Sequence, residues 1–577
     1  MANCLGICTV GALAALLIYA AACSILLPYV LRPPRLLPLE HLASASEDAI
    51  LADFFERDGS RFFFGVATAP AHVEDDLNDS WVEFARREDR PVAAWRDVPS
   101  PGLRLRFWSD PETELDLVQE MGVTVLRLGV DWGRLIPSEP LRGVAAAVDP
   151  AAVDGYLHIL RSARNRGLRT MVTLFHHSLP RWALGYGGWT DSRTISYFRE
   201  FAAFCRESFG HLVDYWVTFN EPHIFALFSH CLGTWPPGRR PSFLGATFCF
   251  SRFGSYGRAM NNIVEAHKAA YAALHVTGRG DYDSPVGVAH HVGVIRPYSL
   301  MDVPLVIVAR WLMQYSWIDL IQEHLDFCGL NFYGQEVLSF AGLMLDEDEE
   351  YSEAGRGVYP DGLYEVLLAF HNRYKNPRTG QPPFRYIITE NGIADDRDVI
   401  RRPYLVEHLL AVSAARRAGV PVDGYLHWTI SDNWEWSDGY CPKFGLVSVD
   451  RIHNLTRHHR PSFYLYKQIA ESGIVSKAQR HAAWSALQRE LGEGGLRPFC
   501  RKTDRFGRMW AEGLDAPILR PISERNWRLG HYVINGMLKY VVRCAEVAAM
   551  RLNDAVELLT QLSGNWASRQ ERGGEEL

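Results

Sequence analysis

The sequence predicts an α/β protein: a single (β/α)8 barrel with an apolar N-terminal segment before it and a C-terminal extension after it. Three observations carry this prediction. Eight short runs of β-type residues alternate with longer stretches of helical periodicity. Several runs are nearly continuous apolar, as strands covered on both faces by helices must be. Polar and aromatic residues gather at the C-terminal ends of the runs, the rim on which such barrels place their chemistry.

From the N-terminus, Val10–Leu31 holds no charged side chain, and Arg32 and Arg35 follow directly. A helix over it would run roughly 33 Å at ~1.5 Å per residue, enough to cross a bilayer core. Met1–Thr9 lacks the basic region of a cleavable signal peptide. Residues 1–31 therefore read as a retained single-pass transmembrane anchor, and the two arginines place the body of the chain on the cytosolic side. Residues 32–60, with "RPPRLLPLEH", read as a linker.

The barrel is expected over residues 61–471. Its strands are "RFFFGVATA", "VTVLRLGV", "RTMVTLF", "YWVTFN", "PVGVAHH", "LDFCGLNFY", "RYIITEN" and "VDGYLHWTI". Between them, "PETELDLVQEMG" and "RPYLVEHLLAVSAARRAG" have amphipathic periodicity, the second ending on Gly419 as a C-cap does. Residues 472–577 leave this rhythm and form a partly helical extension. There "RHAAWSALQREL" reads as a short helix, and Met537, Val541, Ala545, Ala548, Leu552, Val556 and Leu559 form a helical stripe expected to pack on the barrel.

The net charge is −7 and no long basic run appears, which argues against nucleic acid as a partner. No protein partner is evident either. The ten cysteines are scattered without a CxxC pair, and "DFCGL" sets one in an apolar run. That is the pattern of buried thiols in a reducing compartment rather than of a disulfide framework. No metal-ligand cluster is visible, so the chemistry is expected to need no metal or other cofactor.

Two glutamates carry that chemistry. Glu221 follows the fourth run in "TFNEPH", and Glu390 the seventh in "ITENG". On non-adjacent strands of one rim they face each other across the mouth. Glycosidic-bond chemistry requires such a pair: one carboxyl protonated to help an alkoxide leave, the other ionised to attack the anomeric carbon. Neighbours separate their pKa values. Arg127 and the Tyr333 hydroxyl are expected to stabilise ionised Glu390, Asn220 to orient a sugar hydroxyl, and Glu221 to sit in a drier, less cationic setting. Asn331 stands two residues before Tyr333 on the same rim.

"TFNEP", "ITENG" and "WTISDNWEWSDGYCPKFGLVSVD" resemble glycoside hydrolase family 1, the β-glucosidase clan of retaining TIM-barrel enzymes, from about Phe62 to Ile469. The resemblance implies Glu221 as acid/base and Glu390 as nucleophile. It implies sugar contacts for His176 in "VTLFHHSLP", for Asn220, and for Glu435 in "DNWEW", which would hold outer hydroxyls by charge-assisted hydrogen bonds. Trp428 and Trp436 would flank the ring.

Two departures narrow the reading. The family's donor-binding Gln is replaced by His72 in "APAHVEDD", and its "HWDLP" by "HHSLP". With "GVYPDGLYEVLL", "DVIRRPYLVEHLLA" and "RPISERNWRLGHY", these resemble the family's plant galactolipid:galactolipid galactosyltransferase branch. That branch implies transfer of β-galactose from one monogalactosyldiacylglycerol to another, giving di- and oligogalactosyl lipids plus diacylglycerol, for membrane remodelling under freezing stress. It implies galactolipid substrates, a membrane partner, Mg2+ as a stimulant only, and a site on the cytosolic face of the chloroplast outer envelope, with the endoplasmic reticulum as the alternative. Two other readings stay open: a membrane-tethered β-glucosidase or β-galactosidase using water, and a non-catalytic sugar-binding receptor. Retention of both glutamates with Arg127, Asn220 and Tyr333 argues against the receptor.

Overall fold

The computed structural model describes residues 2–31, 49–55, 62–85, 104–238, 248–275, 283–522, 527 and 536–573. Eight parallel strands close into a barrel: β1 (Phe63–Ala67), β2 (Val125–Gly129), β3 (Arg169–Phe175), β4 (Tyr215–Asn220), β5 (Val286–Pro297), β6 (Phe327–Ser339), β7 (Arg385–Asn391) and β8 (Val422–Trp428). They pair in sequence order, and β8 returns to β1. Each starts within one of the eight expected runs. Alternation along the strands sorts their side chains. Phe63, Ala67, Val125, Met171, Val217 and Ile387 fill the barrel interior, whereas Phe64, Val66, Leu126 and Leu128 join the outer core under the helices.

β5 and β6, at 12 and 13 residues, run past the rim, where Val294–Pro297 pair with Gln335–Leu338. The C-terminal extension continues this wall. β9 (Leu496–Thr503) and β10 (Arg508–Pro521) form an antiparallel hairpin that joins the end of β6 through the short strand Gly342–Met344. The sequence predicts no strands here, because Arg497, Arg501 and Lys502 break the apolar alternation. The charges are accommodated instead: Arg497 forms a buried ion pair with Glu350 at 2.8 Å, and Cys500 is bonded to Cys441. The short expected helix is present as Lys477–Gly492. Within the expected linker, Ile50–Asp53 pairs with Ile474–Ser476. Residues 32–48 of the linker, including Arg32 and Arg35, residues 56–60, and most of "RPISERNWRLGHY" lie outside the described residues.

Three expectations are corrected. Cysteines are paired in two places, Cys231–Cys249 and Cys441–Cys500, while Cys23, Cys205, Cys328 and Cys544 are free thiols. Separations of 18 and 59 residues are closed by the fold and leave no short-range spacing to read.

The second correction concerns α1 (Ala2–Leu31), which is a continuous helix whose second half is not free to be surrounded by lipid. Cys23, Leu27, Val30 and Leu31 are buried with Ile295 and Leu300 and with Val303 and Val306 of α2 (Val303–Arg310). Tyr19 donates to the Met301 carbonyl at 2.8 Å, and Arg310 to the Val30 carbonyl at 3.0 Å. Among the described residues no helix is long and apolar enough to cross a membrane. A segment apolar on every face does not reveal which face meets protein.

The third concerns α3 (Met537–Gly573), which turns Tyr540, Arg543, Cys544, Val547 and Met550 toward the β5–β6 wall. The expected stripe faces the other way: Met537, Val541, Leu552 and Val556 are between 49% and 68% exposed, and Ala545 and Ala548 are exposed with them. The side chain of Leu559 lies outside the described residues. Ion pairs decide the orientation, since Lys539 and Arg543 both reach Asp346, at 2.8 and 3.0 Å.

Candidate active site

Strand register gathers the expected residues at one level of the rim. Arg127 lies opposite Ala67, which lies opposite Trp428; Asn331 lies between His291 and Glu390; Asn220 lies opposite Ala289. Glu221 follows β4 at once, its N–H donating to the Ala289 carbonyl at 2.8 Å. Its backbone is left-handed, φ 41° and ψ 50°, and His177 (φ 62°) and Trp436 (φ 51°) share that region. All three line one cleft. Non-glycine residues keep such conformations only where their surroundings over-determine them, and functional sites are where they cluster. Gly392 fits closely for a different reason: a Cβ there would collide with the Trp428 carbonyl.

The cationic side of the cleft belongs to Glu390. Arg127 donates from Nη1 to Glu390 Oε1 at 2.5 Å, and Tyr333 Oη donates to Oε2 at 2.6 Å. Arg127 is itself fully buried, held through Nε by Thr173 Oγ1 (3.1 Å) and through Nη2 by Asn220 Oδ1 (2.7 Å). Asn331 Nδ2 donates to the same Asn220 oxygen at 3.0 Å and to Glu221 Oε1 at 2.8 Å. One unbroken network thus joins the two carboxylates. His291 Nδ1 stands 3.5 Å from Glu221 Oε1, and its Nε2 is 3.4 Å from Arg356 Nη1, which pairs with Glu336.

These contacts pull the two acids apart. Burial pushes Glu390 up to about 7; Arg127 and Tyr333 oppose the rise, and the charge of Glu221 adds to it. Burial alone would raise Glu221 as well. The charge of His291 and the hydrogen bonds from His291 and Asn331 outweigh it and hold Glu221 below the usual carboxylate range. A buried pair of this kind titrates as a unit and keeps one proton. Of the two, Glu390 lies against a permanent cation, Arg127 at 2.5 Å, whereas Glu221 faces the His291 ring at 3.5 Å.

The sugar-binding set surrounds this pair. Asn220 Nδ2 donates to His176 Nε2 at 2.9 Å, so the ring proton of His176 sits on Nδ1, which has no partner within the protein. Burial keeps His176 neutral, its pKa well below the ordinary value. His72 is likewise neutral, lowered by burial to about 3; its Nδ1 bonds the Trp434 carbonyl and its Nε2 has no partner in the protein. Trp428 Nε1 donates to Glu435 Oε1 at 3.2 Å, and burial pushes the Glu435 carboxyl well up. Trp436 stands edge-on to His72 with ring centroids 4.1 Å apart. Unpaired nitrogens, a carboxyl and flat apolar faces in one cleft suit a ring bearing several hydroxyls.

The sequence places His177 and His291 on the rim, at the ends of the third and fifth runs, without giving either a role, and both line the cleft. Trp235, in the apolar "LGTWPPG" loop, and Phe444 add aromatic lining. Arg501 had no signal, because it reaches the cleft from the unexpected hairpin. It donates to Asp438 Oδ2 at 2.7 Å and to the Ala354 carbonyl at 3.0 Å.

The family profile described as Glycosyl hydrolase family 1 matches residues 59–309 and 313–474. The chain is 47% identical over 546 residues, 86% of each protein, to "Galactolipid galactosyltransferase SFR2, chloroplastic" of Arabidopsis thaliana. It is 43% identical over 570 residues, 85% of this chain and 87% of the other, to "Beta-glucosidase-like SFR2, chloroplastic" of Oryza sativa subsp. japonica. Among solved structures, the hyperthermophilic beta-glucosidase from Pyrococcus furiosus has a TM-score of 0.62 at 26% identity, covering 73% of this chain and 98% of its own. The beta-glucosidase from Thermotoga maritima in complex with glucoimidazole has a TM-score of 0.63 at 24% identity, covering 74% of this chain and all of its own.

Proposed function

The chain belongs to glycosyl hydrolase family 1, and from that premise we propose that it is a galactolipid galactosyltransferase, moving a β-galactosyl group from one galactolipid to another with retention of configuration. The observation that carries the chemistry is Glu390, clamped by Arg127 and Tyr333 and networked to Glu221. The choice of acceptor is supported by the relative named a galactolipid galactosyltransferase at 47% identity.

Glu390 attacks the anomeric carbon of monogalactosyldiacylglycerol. The bond from that carbon to the glycerol oxygen breaks, and the proton of Glu221 goes to that oxygen, releasing diacylglycerol. Glu221, now ionised, takes the proton of the 6-hydroxyl of a second head group. The freed oxygen attacks the galactosyl-enzyme, a β bond forms, and Glu390 leaves as carboxylate. Two inversions give net retention, for which the carboxylates are expected about 5–5.5 Å apart. His72, His176 and Glu435 hold the donor's hydroxyls, Trp428 and Trp436 its ring, and Asn220 fixes His176. Transfer prevails over hydrolysis where the acceptor side is dry and holds the hydroxyl close. Trp235, Phe444 and Arg501 form that side.

The same reading attaches the chain to a membrane, at the cytosolic face of the chloroplast outer envelope, supported by two relatives named chloroplastic and by the uncharged α1. Mg2+ enters only as a stimulant at anionic lipid. The test is product analysis on vesicles of monogalactosyldiacylglycerol. Digalactosyl lipid with a β-linked terminal galactose, plus diacylglycerol, is expected. Mainly free galactose would make the enzyme a hydrolase, and an α-linked terminus would overturn retention.

A further inference from the structure

The surface beside the barrel mouth is turned inside out relative to an ordinary protein surface. α3 turns Lys539, Arg543 and Glu546 inward, where the first two pair with Asp346 and the third accepts from Tyr298, whereas Arg551 stays exposed and donates to the Phe340 carbonyl. Outward it presents Leu538, Val542 and Leu552. α1 does the same beside it. Cys23 and Leu27 share a buried cluster with Tyr540 of α3, while Ile18, Ile25 and Tyr29 face out. α2 adds Val308, and the π-helical turn that follows it adds Trp311. All eight outward side chains are between 53% and 74% exposed. Single exposed apolar residues are ordinary, but a patch spanning three helices marks an interaction surface.

Its position is informative. The three helices pack where β5 and β6 run beyond the cleft, on Ile295, Leu300 and Leu338, past the points at which those strands deliver His291, Asn331 and Tyr333. The patch therefore flanks the mouth rather than the closed end of the barrel. It is also largely foreign to the family: the matched residues begin at 59, break between 309 and 313, and end at 474, which leaves α1, Trp311 and α3 outside them. The occupant follows from continuity. α3 and α1 share the buried cluster of Cys23, Leu27 and Tyr540, so their outward faces lie side by side, and whatever covers α1, whose 30 residues carry no charge, reaches the patch. A protein partner of ordinary composition would meet polar groups somewhere on such a face; a lipid interface needs none.

We propose that α1, α2 and α3 form a platform that lies in the lipid interface without crossing the bilayer, with their outward side chains among the head groups and upper acyl chains and the barrel mouth at the membrane surface. This deepens the galactolipid reading and rests on it for its purpose: the sugar enters the cleft while the acyl chains stay in lipid. Held there, the enzyme meets head groups at the local concentration of the surface.

The full chain is mixed with vesicles of dioleoylphosphatidylcholine, free of galactolipid, with plain or brominated acyl chains. It should float with both, and bromine should quench part of its tryptophan fluorescence; Trp311→Phe should remove a resolvable part of that quenching. Leu538→Asp, Val542→Asp and Leu552→Asp, combined, should lower vesicle partition at least about tenfold. They should lower galactolipid turnover on vesicles in parallel and leave turnover of a soluble aryl β-galactoside unchanged. Partition unaffected by the three aspartates, or bromine quenching identical in Trp311→Phe, overturns the platform. So does a lipid-free dimer that the aspartates convert to monomers, which gives the face to a second copy of the chain. Partition as expected with no galactosyl transfer refutes the galactolipid reading and leaves the platform standing.

Discussion

Removing one hydroxyl tests the assignment of the nucleophile. Tyr333 Oη donates to Glu390 Oε2 at 2.6 Å, and its ring rests near Phe444, with centroids 5.9 Å apart. Tyr333→Phe keeps the ring and deletes only the donor. A hydrogen bond to a charged group is worth about 1.5–3 kcal/mol, and a pKa unit corresponds to about 1.4 kcal/mol, so the Glu390 carboxyl should rise by about one to two units. Burial already holds it above the ordinary carboxylate range. The attacking form is the anion, so a raised pKa moves the acidic limb of kcat/KM toward higher pH. Below the wild-type midpoint the loss should reach about 10- to 100-fold, and it should shrink as the pH rises. The assay is a pH–rate profile with a soluble aryl β-galactoside, whose good leaving group makes little demand on Glu221. An acidic limb that stays in place, with kcat/KM within twofold of wild type throughout, would refute the claim that Tyr333 supports an ionised nucleophile.

Glu390→Gln should abolish turnover with folding intact, whereas Glu221→Gln should lose lipid turnover yet still form the galactosyl-enzyme from an activated aryl donor, seen as a mass increase of one hexose; lipid turnover by Glu390→Gln would sink the assignment. His291→Asn removes the ring that stands 3.5 Å from Glu221 Oε1, so lipid turnover, which needs the acid, should change more than cleavage of an activated aryl donor; equal effects on both substrates contradict a role for His291 at the acid. Arg501→Ala should leave aryl galactoside cleavage within about threefold while lowering the ratio of transferred to free galactose on vesicles, because Asp438 loses its 2.7 Å partner on the acceptor side; an unchanged ratio removes Arg501 from that side.

What the sequence discloses, and what it hides, has a physical pattern here. The eight strands are legible because each is covered on both faces, and that burial writes continuous apolar runs such as "YIIT" into the chain. Glu221, Glu390, Asn331 and Tyr333 are legible because a barrel puts its polar residues where those runs stop. Contacts made by residues far apart are not legible. Cys441 and Cys500 meet only because β9 folds back over the loop that bears Glu435, and Arg501 enters the cleft on the same hairpin. Helical stripes give a period without a direction: the apolar stripe of α3 was visible in sequence, yet pairing of Lys539 and Arg543 with Asp346 turns it outward. For α1, with no polar face at all, sequence supplies neither period nor direction.

The interlocked amides of the cleft have an evolutionary corollary. Asn220 Oδ1 accepts from both Arg127 and Asn331, while its Nδ2 reaches His176. No member of that set can be exchanged without stranding a buried polar atom on another, so the cost of a second substitution depends on the first. The effects of changes here are therefore strongly epistatic, and a neutral path from one sugar preference to another through these four positions is closed to single steps. Diversification is left to positions outside the lattice, such as His72, whose free Nε2 faces the cleft while its Nδ1 is held by main chain alone. A change there alters what the donor meets without disturbing either carboxylate, which is the route by which a barrel of this kind can acquire a new substrate while keeping its chemistry.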